Sequence, residues 1–206
     1  MYLNIARHIY EAIQVNPGNY IVFSPSFIYM EKLYAEFEKF LIQNDEIDCL
    51  KQKEKMSEEE RESFLSRFMS TKYALADRLN QDLTKSLVGF CVLGGIFSEG
   101  IDLREDALIG SIIIGTGMPM VGFEKEVIKE FFGEMGFDYA YRIPGMNRVL
   151  QAAGRVIRTE EDKGIVMLMD ERFLDRSYQR MFPREWSGFS VIGGRNITDA
   201  LESFWF

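Results

Sequence analysis

Three long polar side chains recur at helical spacing in the last third of the chain. Gln151, Arg155 and Arg158 stand at positions i, i+4 and i+7, so a predicted helix over 147–158 would place them on one face. Two guanidinium groups on one face repel each other unless an anion or a carboxylate joins them. This face therefore suits a phosphate-bearing ligand, and it equally suits pairing with the acidic residues at 160–162.

Gly154 lies within the same predicted helix, between the glutamine and the arginines. Glycine in a helix interior costs roughly 1 kcal/mol relative to alanine. The expected compensation is close approach of a partner backbone or of a ligand, which a side chain would prevent. A different side of the helix carries an apolar stripe that is predicted to pack on a sheet, formed by Val149, Ala152, Ala153 and Val156.

Further polar residues directly follow two predicted buried strands, VGFCVL at 88–93 and YIVF at 20–23. Ligands of parallel α/β sheets bind outside the carboxyl ends of the strands, so both loops lie where function is expected. The first loop could equally be an acidic, glycine-containing turn. In the second, the hydroxyl groups could cap the next helix or, together with its amides, grip a phosphate. The candidates are Ser98, Glu99, Gly100 and Asp102 in the first loop, and Ser24 and Ser26 in the second.

Helical and strand patterns alternate along the chain, and together they must position these residues. Predicted helices cover 3–14, 27–40, 124–132 and 147–158, with one more starting at Ser57 as its N-cap. Predicted strands cover 20–23, 88–93, 109–115 and 165–169, with a short one at 41–43. The strands lack polar alternation, which predicts an α/β fold with a mainly parallel sheet and helices on both faces.

The composition limits the classes of protein that fit. The length of 206 residues suits a single domain over 1–206, within which 44–70 is predicted to be a charged insertion that could be mobile. A net charge of −8 argues against coating nucleic acid by bulk electrostatics, although a local basic track is compatible with it. Two distant cysteines and one histidine argue against a metal site and fit a cytoplasmic setting. No apolar run is long enough to cross a membrane.

Three stretches, in this order, resemble motifs IV, V and VI of superfamily 2 DNA helicases: IVFSPSFIYMEKL, GGIFSEGIDL and QAAGRVIRTEEDKGIVMLMDERF. The resemblance is strongest to the DinG/XPD-like group, and to bacterial DinG-type proteins within it. It spans about Asn16 to Trp186, and the third stretch, with its acidic run, strand and DxRF ending, is the most specific. The resemblance implies a RecA-like fold and identifies the chain as the second, C-terminal motor domain of such a helicase.

The phosphate loop GxxxxGK(S/T) and the Asp-Glu-Ala-His box of the family's first motor domain do not occur in this sequence. Those motifs hold the phosphates and Mg²⁺. ATP and Mg²⁺ are therefore expected to be bound mostly by a first RecA-like domain, which would also carry any iron–sulfur cluster. Alone, the chain is expected to be inactive in hydrolysis. As part of a full-length protein it would contribute to an ATP-dependent helicase.

The resemblance also implies a role for each matching residue. Arg155 and Arg158 match the motif VI arginines that reach the γ-phosphate, and Gln151 matches the leading glutamine of that motif. Their expected partner is the nucleotide rather than a residue of this chain, which would explain the missing countercharge. The resemblance further implies that nucleotide binding and its coupling to DNA involve Glu99, Gly100, Asp102 and Gly154. The residues that it implies contact single-stranded DNA are Ser24, Ser26, Ser98 and Arg148.

Asp170 and Arg172, which follow motif VI, are predicted to form a structural ion pair at the sheet edge. An alternative for the whole chain is a non-catalytic nucleic-acid or protein-binding module on a RecA-like fold.

Overall fold

The computed structural model describes residues 1–42, 46–70, 85–98, 108–157, 163–193 and 197–206. Within these ranges, the strands form one five-stranded sheet in the order β2-β3-β1-β4-β5, with every pairing parallel. The strands are β1 (Asn19–Ser24), β2 (Ile47–Lys51), β3 (Ser86–Val92), β4 (Gly110–Ile114) and β5 (Ile165–Met169). The parallel sheet confirms the predicted α/β class, and β5 has the predicted bounds.

Helices cover both faces of the sheet, as the apolar strands require. The α-helices in the described ranges are α1 (Tyr2–Val15), α2 (Phe27–Leu41), α3 (Glu58–Ser70), α4 (Phe123–Phe131), α5 (Ile143–Ala153), α6 (Arg176–Gln179) and α7 (Ile197–Trp205). One buried cluster joins α1 and α2 to the face that carries Tyr20 and Val22. A second cluster joins α3 and α5 to the face that carries Ile21 and Phe23.

Strand β2 corrects the expectation for the segment before α3. The predicted strand at 41–43 is wrong, because Leu41 is the last residue of α2. The strand lies instead at Ile47–Lys51, inside the stretch predicted to be a charged insertion, and among the described residues it pairs only with β3. An edge strand leaves side chains half-exposed, so its sequence IDCLK mixes charged and apolar residues and does not resemble a buried strand. The mobility of 44–70 stays a prediction.

Helix α3 begins as predicted, with Ser57 as its cap. The Ser57 hydroxyl accepts a hydrogen bond from the Glu60 amide at 3.2 Å, and the Glu60 carboxylate accepts one from the Ser57 amide at 2.9 Å. This reciprocal pair satisfies two amide donors that a helix start leaves without partners. Phe64 and Phe68 of α3 then pack into the core over β3.

Helix α5, which carries the motif VI residues, starts earlier and ends earlier than the predicted 147–158. A π-helical turn, Asp138–Arg142, leads directly into it, and the Ile143 amide bonds the Asp138 carbonyl. Pro144 accounts for the wider turn, because proline lacks an amide hydrogen and its ring crowds the carbonyl four residues earlier. At its other end the helix stops at Ala153, with Gly154 as the C-cap.

Candidate functional site

A crevice of about 880 Å³ opens at the carboxyl ends of β1, β4 and β5. Its walls include Pro25 and Tyr29 after β1, the loop 115–121 after β4, Arg148 of α5, and the residues 170–172 after β5. Sites of parallel α/β sheets occur at this edge. Sequence reasoning missed the loop after β4, although Gly115 and Gly117, both with positive φ, directly follow an isoleucine-rich strand and were a usable signal.

Arg148 lies at this crevice and is held there by two loops. Its Nη1 donates to the Gly117 carbonyl at 3.2 Å. Its side chain also lies so close to Gly94 that a Cβ at that glycine would come within 2.9 Å of the Arg148 Cδ. Gly145, in the first turn of α5, fits equally tightly, since a Cβ there would lie 2.6 Å from the Thr116 carbonyl oxygen. The start of α5 is therefore fixed against the carboxyl edge of the sheet.

Arg155 lies in the turn that follows α5, not on the helix. Its Nη2 donates to the carbonyl of Ser98 at 3.2 Å, and its side chain is half-buried. The expectation that this arginine has no partner within the chain is therefore wrong. Its guanidinium is attached to the loop that follows β3.

Gln151 and Gly154 are both exposed, one on the last turn of α5 and one at its C-cap. Because α5 ends at Ala153, Gln151 and Arg155 do not lie on one continuous helix as predicted. Gly154 has φ −66° and ψ 4°, so its backbone needs no glycine. Among the described residues, a Cβ there would meet only its own helix, with the Leu150 carbonyl oxygen at 3.3 Å. Close approach of a partner to Gly154 stays a prediction.

The apolar stripe predicted for this helix is confirmed, and it shows how the site is anchored. Val149, Ala152, Ala153 and Val156 are all buried in the cluster between α5 and the sheet. Val156 keeps this position beyond the helix end because its amide bonds the Ala153 carbonyl at 3.2 Å, which makes one tighter turn.

The three serines predicted to contact DNA lie in different environments. Ser24 and Ser98 have 0% exposure, and the Ser98 hydroxyl donates to the Gly95 carbonyl at 2.9 Å. Buried hydroxyl groups cannot touch DNA in this arrangement, so the structure does not support these two contacts. Ser26 is exposed, and its hydroxyl accepts a hydrogen bond from the Tyr29 amide at 3.2 Å. The alternative role of capping α2 is thus confirmed for Ser26.

The predicted ion pair at the end of β5 is confirmed. Arg172 donates to both carboxylate oxygens of Asp170, from Nε at 2.8 Å and from Nη2 at 2.6 Å, and its amide donates a further bond at 3.0 Å. Burial raises the pKa of Asp170, but the hydrogen bonds from Arg172 outweigh it and hold that pKa below its ordinary value. The pair directly follows the edge strand β5 and forms part of one wall of the crevice.

Four predicted site residues lie outside the described residues: Glu99, Gly100, Asp102 and Arg158. Among the residues that are described, no group of three or more histidine, cysteine, aspartate or glutamate side chains could hold a metal ion. None of the helices in the same ranges is long and apolar enough to cross a membrane.

Comparisons with known proteins converge on one family. Residues 9–189 match the family described as "Helicase C-terminal domain". The ATP-dependent DNA helicase chl1 of Schizosaccharomyces pombe is 25% identical over 96% of this chain and 24% of its own length. The ATP-dependent DNA helicase DinG of Photobacterium profundum is 37% identical over 41% of this chain and 13% of its own length.

A solved structure titled XPD helicase has the same fold. It superposes with a TM-score of 0.64 at 19% identity, covering 87% of this chain and 30% of the solved one. The RecA-like fold implied by the sequence is thereby confirmed. The chain spans at most about a quarter of the length of these two curated relatives.

Proposed function

The chain belongs to the helicase C-terminal domain family, in its DinG/XPD-like branch, and from this premise we propose that it is the second motor domain of an ATP-dependent DNA helicase. The observation that carries the proposal is the placement of α5. Arg148, in the middle of the helix, lies at the crevice, and the helix ends at Ala153, two residues before Arg155, so one rigid element joins two surfaces with separate tasks.

On the nucleotide side, Arg155 supplies positive charge to the phosphoryl group being transferred. Arginine fingers of this kind are worth roughly 10³–10⁵ in rate. The exposed Gln151 orients the γ-phosphate or the attacking water, and Gly154 leaves room for the approaching partner. Arg158 and the loop residues Glu99, Gly100 and Asp102 belong to the proposal through their match to motifs VI and V.

ATP and Mg²⁺ fit this arrangement only with help from a second domain. Gln151 and Arg155 offer donors for the terminal phosphate, but the chain lacks the phosphate loop and the acidic box that would hold the rest. We assign those parts, and any iron–sulfur cluster, to a first RecA-like domain that faces the end of α5. Closure of the cleft between the two domains brings Arg155 to the phosphate, and opening withdraws it.

On the DNA side, single-stranded DNA lies along the carboxyl edge of the sheet. Arg148 contributes one cation there, and Ser26 is the exposed hydroxyl next to the crevice wall. Contacts of this kind bind the phosphate backbone and read no sequence. The overall charge of −8 confines such binding to a local track.

The test is ATP hydrolysis by the full-length helicase with and without single-stranded DNA. Arg155→Ala should lower the DNA-stimulated rate by about 10³-fold or more, while ATP binding weakens only modestly. The control is Arg67→Ala, which removes an ion pair with Asp48 at 3.1 Å on the β2 side of the sheet and should leave the rate unchanged. An unchanged rate for Arg155→Ala would refute the proposal and favour the non-catalytic binding module.

A further inference from the structure

Gln52 is a buried polar residue just beyond the end of β2, with 5% exposure. Its amide continues the sheet ladder by bonding the Phe90 carbonyl at 2.8 Å. Its side-chain Oε1 then accepts the Val92 amide at 2.9 Å, at the last residue of β3. The side chain takes the place of a strand carbonyl at the point where β2 has ended. Buried polar groups are costly unless satisfied, so this bond fixes the end of β3.

A continuous series of hydrogen bonds leads from this point to the arginine. The Val92 carbonyl accepts the Gly95 amide at 3.1 Å, and the Gly95 carbonyl accepts the Ser98 amide at 3.0 Å. The Ser98 carbonyl accepts the Arg155 guanidinium at 3.2 Å. The Gln52 side chain also packs directly on this turn, since a Cβ at Gly95 would lie 3.3 Å from Gln52 Nε2.

We propose that Gln52 is a positioning residue for Arg155: by fixing the turn Val92–Ser98, it holds the Ser98 carbonyl that orients the guanidinium. The inference rests on the proposed function, because its consequence for hydrolysis requires that Arg155 meets the nucleotide. Gln52 itself touches neither nucleotide nor DNA in this account. Gln52 acts from the end of the edge strand β2, through its hydrogen bond to the last residue of β3.

The test uses Gln52→Met in the full-length helicase, because methionine keeps the length of the side chain and removes the acceptor. A misplacement of about 1 Å at a reacting group can cost roughly 10²-fold in rate. We expect kcat for DNA-stimulated hydrolysis to fall about 10–100-fold with KM for ATP unchanged. Gln52→Glu keeps the acceptor oxygen and should retain a higher kcat than Gln52→Met. The matched control is Gln179→Met, at a half-buried glutamine whose side-chain amide donates to the Leu174 carbonyl, and it should have no effect.

A double-mutant cycle distinguishes positioning from a general loss of structure. In the Arg155→Ala background, Gln52→Met should lower kcat no further, because the group that it positions is gone. Effects that multiply, or a Gln52→Met kcat equal to that of Gln179→Met, would overturn the inference. Should Gln52→Met fail to fold, Gly95→Ala perturbs the same turn from the other side, since its Cβ would lie 3.0 Å from the Val92 carbonyl oxygen.

Amide hydrogen exchange gives a readout that does not depend on hydrolysis. Gln52→Met should speed exchange of the Val92, Gly95 and Ser98 amides relative to the rest of β3. A wild-type helicase without DNA-stimulated hydrolysis would refute the proposed function but leave this positioning intact. Unchanged exchange at these three amides would refute the positioning, whatever the rate of hydrolysis.

Discussion

Replacing Gly154 by alanine separates a structural role of this glycine from a role in contact with a partner. The residue caps α5 with φ −66° and ψ 4°, a conformation that alanine adopts without strain. The added methyl group would meet the Leu150 carbonyl oxygen at 3.3 Å and the Gln151 carbonyl oxygen at 3.9 Å, both in the same helix. Within the part of the chain that the structure describes, little opposes the substitution.

The expected effect on stability is therefore favourable or small. Replacing glycine by alanine at a compatible position stabilises by about 0.4–1 kcal/mol, because the unfolded chain loses freedom. For a protein of this size 1 kcal/mol corresponds to roughly 2–4 °C in Tm. Gly154→Ala in the isolated chain should thus raise Tm by about 1–4 °C.

The matched contrast is Gly145→Ala on the same helix. Its Cβ would lie 2.6 Å from the Thr116 carbonyl oxygen and 2.9 Å from the Met118 amide nitrogen, and neither backbone can move freely. Overpacking of this kind costs about 1–3 kcal/mol, or roughly 2–12 °C in Tm. The two glycines of α5 are thus expected to respond to alanine in opposite directions, which tests the packing at the two ends of the helix.

The assay pairs thermal unfolding of the isolated chain with DNA-stimulated hydrolysis by the full-length helicase. If a partner approaches Gly154 closely, Gly154→Ala should lower hydrolysis about 10–100-fold while Tm is maintained or raised. Unchanged hydrolysis with a maintained Tm would refute close approach. A fall of several degrees in Tm would refute the structural reasoning itself.

Substitutions at two other residues test single contacts. Ser26→Ala should lower Tm by a few degrees through loss of a helix cap worth about 0.5–2 kcal/mol. Ser26→Asp keeps the cap but should weaken binding to single-stranded DNA at fixed salt, because the new carboxylate repels the phosphates. Unchanged affinity for Ser26→Asp would show that Ser26 does not contact DNA. The pKa of Asp170 is lowered in the folded state, so its ion pair with Arg172 stabilises the fold above the unfolded pKa of about 3.9, and this stabilisation is lost as pH falls through the folded value. Asp170→Asn should therefore be less stable than wild type at pH 7, with a Tm difference that closes in acid.

Four of the five strands could be predicted from the sequence, whereas the edge strand β2 could not. Strands β1, β3 and β4 are apolar runs because helices cover both of their faces, and β5, at the other edge of the sheet, is also an apolar run, IVMLM, so all four are visible in the sequence. Within the described residues β2 pairs with β3 alone, and its sequence IDCLK mixes charged and apolar residues like an exposed segment. Gln52, whose side chain completes the sheet at β3, consequently went unnoticed.

The predictions for the site residues failed where burial changes within one or two residues along the chain. Ser24 is the last residue of β1 and is fully buried, whereas Ser26, two residues later, is exposed and caps a helix. The predicted end of α5 was wrong for a similar reason. Val156 has the spacing of a helical core residue and is buried, but it reaches the core from a tighter turn after Gly154. The periodicity of apolar residues identifies Val156 as buried, but it does not distinguish an α-helical turn from the tighter turn in which Val156 lies.

One loop is attached both to α5 and to the turn that follows it, and this bears on how a DNA surface could influence a nucleotide surface. The loop Gly94–Ser98 contacts Arg148 at its start and Arg155 at its end, and these arginines are about 10 Å apart along the helix direction. If DNA displaces this loop, either α5 moves with it or one arginine contact breaks. Moving α5 would disturb Val149 and Ala152, which are fully buried against the sheet. A single hydrogen bond contributes only about 1 kcal/mol, so the 3.2 Å contact of Arg155 should yield first. Displacement of the loop would then change the orientation of the arginine before it changed the fold.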